Sequence, residues 1–427
     1  MNTKQKTRHV PLRRRAALRW TRVSVASGLL LSTIALSAPW PGFRGLNRDG
    51  HTTESLPRVL PPNLTPLWRR PIGHGYAGVV VVGTNLVVLE DAAGKEGARC
   101  LDAVTGRDRW TTPYGEGYSD EFEPGPRCTP LIDGDRVYVQ SCRGEFRCLN
   151  LADGKTRWRF HFEDFGAFWV PDRQSKIGAA NRRGHSGSPA IVGDRILVQV
   201  GSTNGASLVA FDKFTGRTLW KSQEDLTCYS SLAVGLVVGR TQAVAATCEG
   251  LMAVAADDGS LLWRVPFRTG ANRNCLTPMI ESDTVTFASH TTGMRRVRIE
   301  GSGASLKPVP LWLNAQLKLN LATPVAVGSH FFGLGAAKDF VCVERDTGTV
   351  RWSQPGFDAM ASVITDSQQL LVLNDRGELI LVAVNSEKYV ESGRIQACGK
   401  TFSAPAFSEG VLYVRDSREV SAWRLIH

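Results

Sequence analysis

A short ladder, Gly-x-x-x-Trp, returns five times in register along this chain of 427 residues. The copies run from Gly106 to Trp110, Gly154 to Trp158, Gly216 to Trp220, Gly259 to Trp263 and Gly348 to Trp352, and Trp68 and Trp312 extend the series in looser form. With 42 Gly and 11 Trp in the chain, the pattern should arise about once by chance, so five copies mark duplication, and a fixed period dictates the architecture. Each copy has a physical reading. A polar turn ending in Gly lets the chain take a positive φ and reverse between two strands. The Trp four residues later lies on the next strand, where a large flat side chain fills the wedge between neighbouring sheets.

Short β-rich runs stand before each turn, such as 207–211 and 340–344. Further upstream comes a Ser/Thr-Pro pair and a strand that often ends in a Gly-Asp hairpin, as at Thr129-Pro130 and Ser188-Pro189. Four strands per unit make a propeller blade. Inner strands begin near Ala77, Thr129, Ser188, Ser231, Thr277, Thr323, Ser362 and Ala404, which predicts an all-β, eight-bladed β-propeller of four-stranded antiparallel blades. The last unit lacks its turn-plus-Trp strand, whereas Leu64–Ile72 is a Trp strand with no blade before it. The N-terminal strand is therefore expected to complete the last blade, closing the ring and removing exposed sheet edges. Seven blades is the alternative, because the unit from Leu371 to Ile395 lacks the Gly-Trp turn. The domain limits are 38–63 for an N-terminal extension and 64–427 for the propeller, which is expected to be a monomer.

Trp spacings of 42, 48 and 62 from Trp68 through Trp220 place an insertion at about 160–184. Its aromatics and cations, among them Phe165, Phe168, Trp169 and Arg173, suit a partner-binding loop. A flap capping one end of the ring, with its aromatics buried, accounts for them equally well.

The net charge of +11 points to nucleic acid or an anionic membrane until it is located. Residues 1–37 hold eight cations (Lys4, Lys6, Arg8, Arg13, Arg14, Arg15, Arg19, Arg22), no Asp or Glu, and an apolar run from Val23 to Leu36. That is the form of a signal peptide cleaved after Ser37. An uncleaved anchor is the alternative, but the run is shorter than the roughly 20 residues of a membrane span. Residues 14–19 faintly resemble a twin-arginine signal. The remaining residues carry about +3, so nucleic-acid binding loses its support. An exported protein, periplasmic or secreted, with no membrane span after cleavage is expected. Nine cysteines permit disulfides there. Cys142 and Cys148 flank a predicted tight turn and are the expected pair. There is no haem-attachment or zinc pattern.

On this repeat the chain resembles the quinoprotein-like propellers with pyrroloquinoline-quinone-type repeats, which include the outer-membrane assembly propeller lipoprotein and the quinone-dependent alcohol dehydrogenases. The segments Trp40–Gly50, Gly125–Pro130 and Tyr229–Ser231 resemble an exported subgroup abundant in planctomycetes. The resemblance implies the fold. In the dehydrogenases it implies quinone and calcium in the central funnel, an Asp base and a vicinal disulfide. This chain has no adjacent cysteines and no recognisable calcium-ligand spacing.

Residues two to four before each inner strand should ring the funnel mouth. They give Arg127, His185, Cys228, Tyr229, Arg273, Asn274, Cys275, Asn320, Asp358 and Lys400, a mixed-charge ring with a basic bias that suits an anionic or sugar-like ligand, or water alone. His185 with Asp358 could form an acid/base pair, and Cys228 with Cys275 a thiol pair. Two functions follow. One is a non-catalytic binding scaffold of the cell envelope, engaging a protein or glycan and needing no cofactor or metal. The other is a quinone- or metal-dependent oxidoreductase using pyrroloquinoline quinone and calcium.

Overall fold

The computed structural model describes residues 1–2, 38–169, 183–269, 272–303 and 305–426. The expected signal peptide lies outside the described residues, as does Arg173. The described residues contain 32 strands in eight four-stranded antiparallel sheets and a single 3-10 turn, Phe162–Phe165. Blade 1 consists of Val80–Val82, Asn85–Ala92, Lys95–Asp102 and Asp108–Glu116, paired in chain order. Six more sheets repeat that order, with first strands Leu131–Asp133, Ala190–Val192, Ala233–Val237, Met279–Glu281, Val325–Val327 and Ala361–Thr365. First strands touch between blades 8 and 1, 1 and 2, 3 and 4, 4 and 5, and 6 and 7, which puts the first strands around the axis. The eighth sheet joins Ala406–Ser408, Val411–Arg415 and Glu419–Arg424 to the N-terminal strand Trp68–Pro71. Trp68 lies opposite Ala422 and Pro71 opposite Glu419. The ring is an eight-bladed propeller closed by its N-terminal strand.

The repeat ladder works between blades. In the turn of blade 1, Asp102 Oδ1 accepts from the backbone N–H of Thr105 (2.9 Å), and Gly106 takes φ +68°. A Cβ added to Gly106 would sit 2.7 Å from the ring of Trp68, the outer-strand Trp of the preceding blade. Gly154 stands likewise on Trp110, Gly216 on Trp158, Gly259 on Trp220 and Gly348 on Trp312, at 2.5–2.7 Å. The indole N–H groups of Trp68, Trp110, Trp158 and Trp312 donate into the same turns, to the carbonyls of Ala103, Leu151, Lys213 and Arg345. Glycine is thus required twice, for a left-handed turn and for the flat approach of a neighbour's indole. The seventh blade lacks the glycine yet keeps the docking, since Trp352 donates to Asn385 O (2.9 Å) and Tyr389 packs edge-on against its ring. Gly154→Ala is expected to cost about 3 kcal/mol or more, combining a positive φ of +71° with contact against the Trp110 ring. A urea midpoint shift at unchanged m-value measures it; a cost under about 1 kcal/mol would contradict the docking.

The Ser/Thr column has its own role. Thr129 Oγ1 accepts from Gly78 N (3.1 Å), Ser188 Oγ from Thr129 N (3.1 Å) and Ser231 Oγ from Ser188 N (3.0 Å). Thr277 Oγ1 accepts from Ser231 N (3.3 Å) and Thr323 Oγ1 from Thr277 N (2.9 Å). These bonds run blade to blade, a hydroxyl belt that satisfies amides otherwise orphaned where the strands converge.

Two expectations need correction. Cys142 and Cys148 are both free. The register sets Cys148 opposite Tyr138, in a core with Phe146 and Phe162, whereas Cys142 lies in the turn with its sulfur toward Gly125 O (3.7 Å). The second concerns the insertion. Phe160, Phe162 and Phe165 pack with Phe146, Trp158 and Phe211, the Phe160 and Phe211 rings stacking 4.0 Å apart. Phe165 is therefore part of the core between blades 2 and 3. Phe168 is exposed, and Trp169 stacks edge-on against Tyr118 and under the Arg143 guanidinium (4.7 Å).

Candidate functional site

The axis holds a cup of about 1400 Å3, counting its open mouth. Its wall obeys the period of two that strands impose. Seven of the eight residues at the belt position line it, and so does the residue two places earlier in every blade: Tyr76, Arg127, Ser186, Tyr229, Cys275, Leu321, Met360 and Phe402. The intervening position is absent from the lining in six of the eight blades, Ala322 and Ala361 being the exceptions. Of the expected mouth residues, Arg127, Tyr229, Arg273 and Cys275 line the cup. His185 and Asn274 are 3% and 2% exposed and face inward. Asn274 Nδ2 donates to Thr247 O, while Asn274 O accepts from Tyr229 N. Asn320 stands at the rim and accepts from Arg273 Nη2 (2.9 Å). Asp358 pairs with Arg376 (3.0 Å), and Lys400 lies over the Phe402 ring. The expected pairing of His185 with Asp358 does not form: the His185 ring packs edge-on against Phe162, 4.6 Å away, and burial holds its pKa down to about 3.

The cup has a floor that the repeat did not foretell. Trp40 pairs with Val81 of blade 1, and Ile132 N of blade 2 donates to Pro41 O. Arg44 Nη2 donates to Pro324 O of blade 6 (2.7 Å). Arg48 donates to Pro189 O (2.7 Å), Ser188 O (3.2 Å) and Leu232 O (3.0 Å) of blades 3 and 4. Thr52 N then donates to Thr365 O of blade 7 (2.8 Å). Residues 40–52 thus cross the ring and tie five more blades besides blade 1, with Trp40, Phe43 and Arg44 forming the base of the cup. Burial lowers the pKa of both arginines to about 10, so both stay charged near neutrality.

Electrostatically the mouth is a mixture of paired and unpaired cations. Arg127 sits between the rings of Tyr76 (4.8 Å) and Tyr118 (5.6 Å) and is paired with Asp120 (2.9 Å). Arg183 lies over Phe122 and is paired with Glu121. Arg273 has an amide partner, Asn320. Three buried donors in these side chains, Arg127 Nε, Arg183 Nη1 and Arg273 Nε, have no acceptor. Between them lie apolar walls from Phe402, Met360 and Leu321. The arrangement suits an anionic group on a partly apolar body.

A quinone–calcium pair would require a hard-cation site with about six oxygen ligands. Among the described residues lining the cup, Asp120 is the one carboxylate, and Arg127 occupies it. No three His, Cys, Asp or Glu among the described residues are grouped to hold a metal ion. The donor set does not fit calcium.

Behind the Arg127 wall, Glu96 is fully buried. Its Oε2 accepts from Cys142 N (3.1 Å), its Oε1 has no partner, and burial raises its pKa from 4.5 to about 8. A carboxyl raised in the folded state is protonated there while ionised in the unfolded chain. Stability should therefore fall as pH rises from about 4.5 to about 8, by up to a few kcal/mol over the window. Glu96→Gln is expected to flatten that fall, so the variant gains on the parent at pH 8 relative to pH 5. Urea unfolding at the two values tests this; equal slopes in both proteins would contradict it.

Residues 59–164 and 94–354 match the PQQ_2 family, described as outer membrane protein assembly factor BamB. No curated protein matches the chain. BamB from Moraxella catarrhalis superposes with a TM-score of 0.58 at 15% identity, covering 85% of this chain and 98% of that one. The quinohemoprotein alcohol dehydrogenase from Comamonas testosteroni gives 0.61 at 11%, covering 91% and 80%. The computationally designed Ika8 protein gives 0.55 at 9%, covering 87% and 100%. A factor, an oxidoreductase and a design share this ring, so the ring alone does not decide function. Among the described residues no helix is long and apolar enough to cross a membrane.

Proposed function

This chain belongs to the outer membrane protein assembly factor BamB family, and from that premise we propose that it is an exported, non-catalytic binding propeller of the cell envelope. Its cup receives an acidic segment of a partner protein. The observation that carries the reading is Arg273, a guanidinium in the cup wall with an amide as its partner, beside buried donors of Arg127 and Arg183 that have no acceptor. The sealed floor supports entry from the mouth alone. Export rests on the basic and apolar pattern of residues 1–37. Trp40–Gly50, with Gly125–Pro130 and Tyr229–Ser231, would place the chain in the exported planctomycete-type subgroup, and the first of these segments forms the floor. Phe168, which is exposed, and Trp169, edge-on against the Tyr118 ring that packs on Arg127, are the parts of the insertion that would extend such a contact.

The test is a titration of labelled hexaglutamate into the purified protein at low salt, followed by fluorescence anisotropy. Arg273→Gln should weaken binding at least about tenfold, or 1.4 kcal/mol, and salt should weaken the parent complex. Equal affinity in parent and variant would remove the cup from the account.

A further inference from the structure

Cys228 and Cys248 form a small buried cluster of their own, with Leu226 and the cup-lining Tyr229 against it. They are 3% and 2% exposed, and their sulfurs stand 3.4 Å apart. The backbone explains the approach. Thr227 and Thr247 form an antiparallel bridge, and Cys248 N donates to Leu226 O (2.9 Å). The cysteines each follow a bridged threonine, so side-chain alternation puts both on the same side of the ladder. Both sulfurs also reach Asn272 O at 3.2 Å. Cys275, the partner expected for Cys228, lies before the next blade with its side chain lining the cup.

We propose that Cys228 and Cys248 are joined by a disulfide in the mature protein, a covalent site that fastens the loop carrying Tyr229 to a turn of its own blade. The sulfurs need to close by about 1.4 Å to reach a bonding length of about 2.05 Å. The oxidant is a disulfide, either a dithiol–disulfide oxidase of an oxidising compartment or oxidised glutathione. One cysteine, as its thiolate, attacks that disulfide and expels one thiol. The second cysteine then displaces the other from the mixed disulfide. Two protein thiols lose two protons and two electrons, and the oxidant's disulfide becomes two thiols. The bond matters to the cup because Tyr229 N donates to Asn274 O (3.1 Å), linking the fastened loop to the segment that carries Arg273 and Cys275. In the cell the bond depends on the export reading; with the purified protein it does not.

The experiment treats purified full-length protein with a series of glutathione buffers from fully reduced to fully oxidised. Acid quenching, denaturation, iodoacetamide and trypsin follow, with no reductant. Cys228 and Cys248 fall in separate tryptic peptides, 222–240 and 241–264, and Cys275 in a third, 274–295. The expected result is a cross-linked mass joining the first two in the oxidising buffers, with the 274–295 peptide alkylated. Reductant should lower the melting temperature of the oxidised parent by roughly 5 °C and leave a Cys228→Ser, Cys248→Ser variant unmoved. Recovery of both peptides alkylated across the whole series, or a cross-link to Cys275 instead, would overturn the assignment. The mass readout uses the parent protein, so it stands whether or not the variant folds.

Discussion

Replacing Leu64–Ile72 by a glycine–serine segment of equal length should open the ring, lowering the melting temperature by about 10 °C or more. The eighth sheet would keep three strands and expose the edge of Glu419–Arg424. Four residue pairs of register would be lost, together with the backbone bonds from Leu67 N to Ala422 O and Ile72 N to Arg418 O. So would the Trp68 ring, which packs against the eighth-blade core and under the Gly106 turn. Losing a Trp of this kind alone costs about 3–5 kcal/mol. The segment 38–63 would stay tethered, so the measurement isolates the strand. Differential scanning calorimetry of parent and variant reads it directly; a melting temperature within about 2 °C of the parent's would show that closure lies elsewhere.

Arg48→Met is the second large effect. The guanidinium makes four hydrogen bonds to three carbonyls, at Pro189, Ser188 and Leu232, and no acidic side chain pairs with it in that contact. Methionine fills much of the volume but leaves those buried acceptors without their donor. Each orphaned group costs about 1–3 kcal/mol, more where a charged donor is lost, so a loss of roughly 3 kcal/mol is expected. Because Arg48 pins the segment that floors the cup, the same variant should become sensitive to protease within residues 40–52 before the blades are cut. Cleavage first in an outer hairpin, at a rate equal to the parent's, would deny the segment its sealing role.

The fold was legible in the sequence because a blade cannot be built without its punctuation. Gly106, Gly154, Gly216, Gly259 and Gly348 had to be glycine, and their Trp partners had to be large and flat. What the sequence could not display was the partner blade: each glycine serves the Trp of the blade before it, a relation hidden until the ring is assembled. The cup was read half a period out in places. Taking positions two to four before the belt admitted His185, Asn274 and Asn320, which occupy the intervening position, while Tyr76, Met360 and Phe402 at the cup-facing position were passed over. Strict alternation from Ser362 and Ala404 finds Met360 and Phe402; Tyr76 needed the start of blade 1 to be set at Gly78 rather than Ala77. Cys142 with Cys148 failed because nearness in sequence is not strand register, and Cys228 with Cys248 was missed because 20 residues and a hairpin separate them. Arg44 and Arg48 were visible only as a motif, since nothing local shows that a Gly-rich loop will lie under an axis.

The proposal that the cup is a binding site without quinone chemistry can be tested directly. The decisive measurement incubates purified protein with saturating pyrroloquinoline quinone and calcium, then follows visible absorbance, melting temperature and dye-linked oxidation of a primary alcohol. With Asp120 held by Arg127 and no further carboxylate on the described wall of the cup, the account predicts no calcium-dependent shift and no dye reduction. A calcium-dependent rise in melting temperature together with dye reduction would contradict it and make this chain an oxidoreductase.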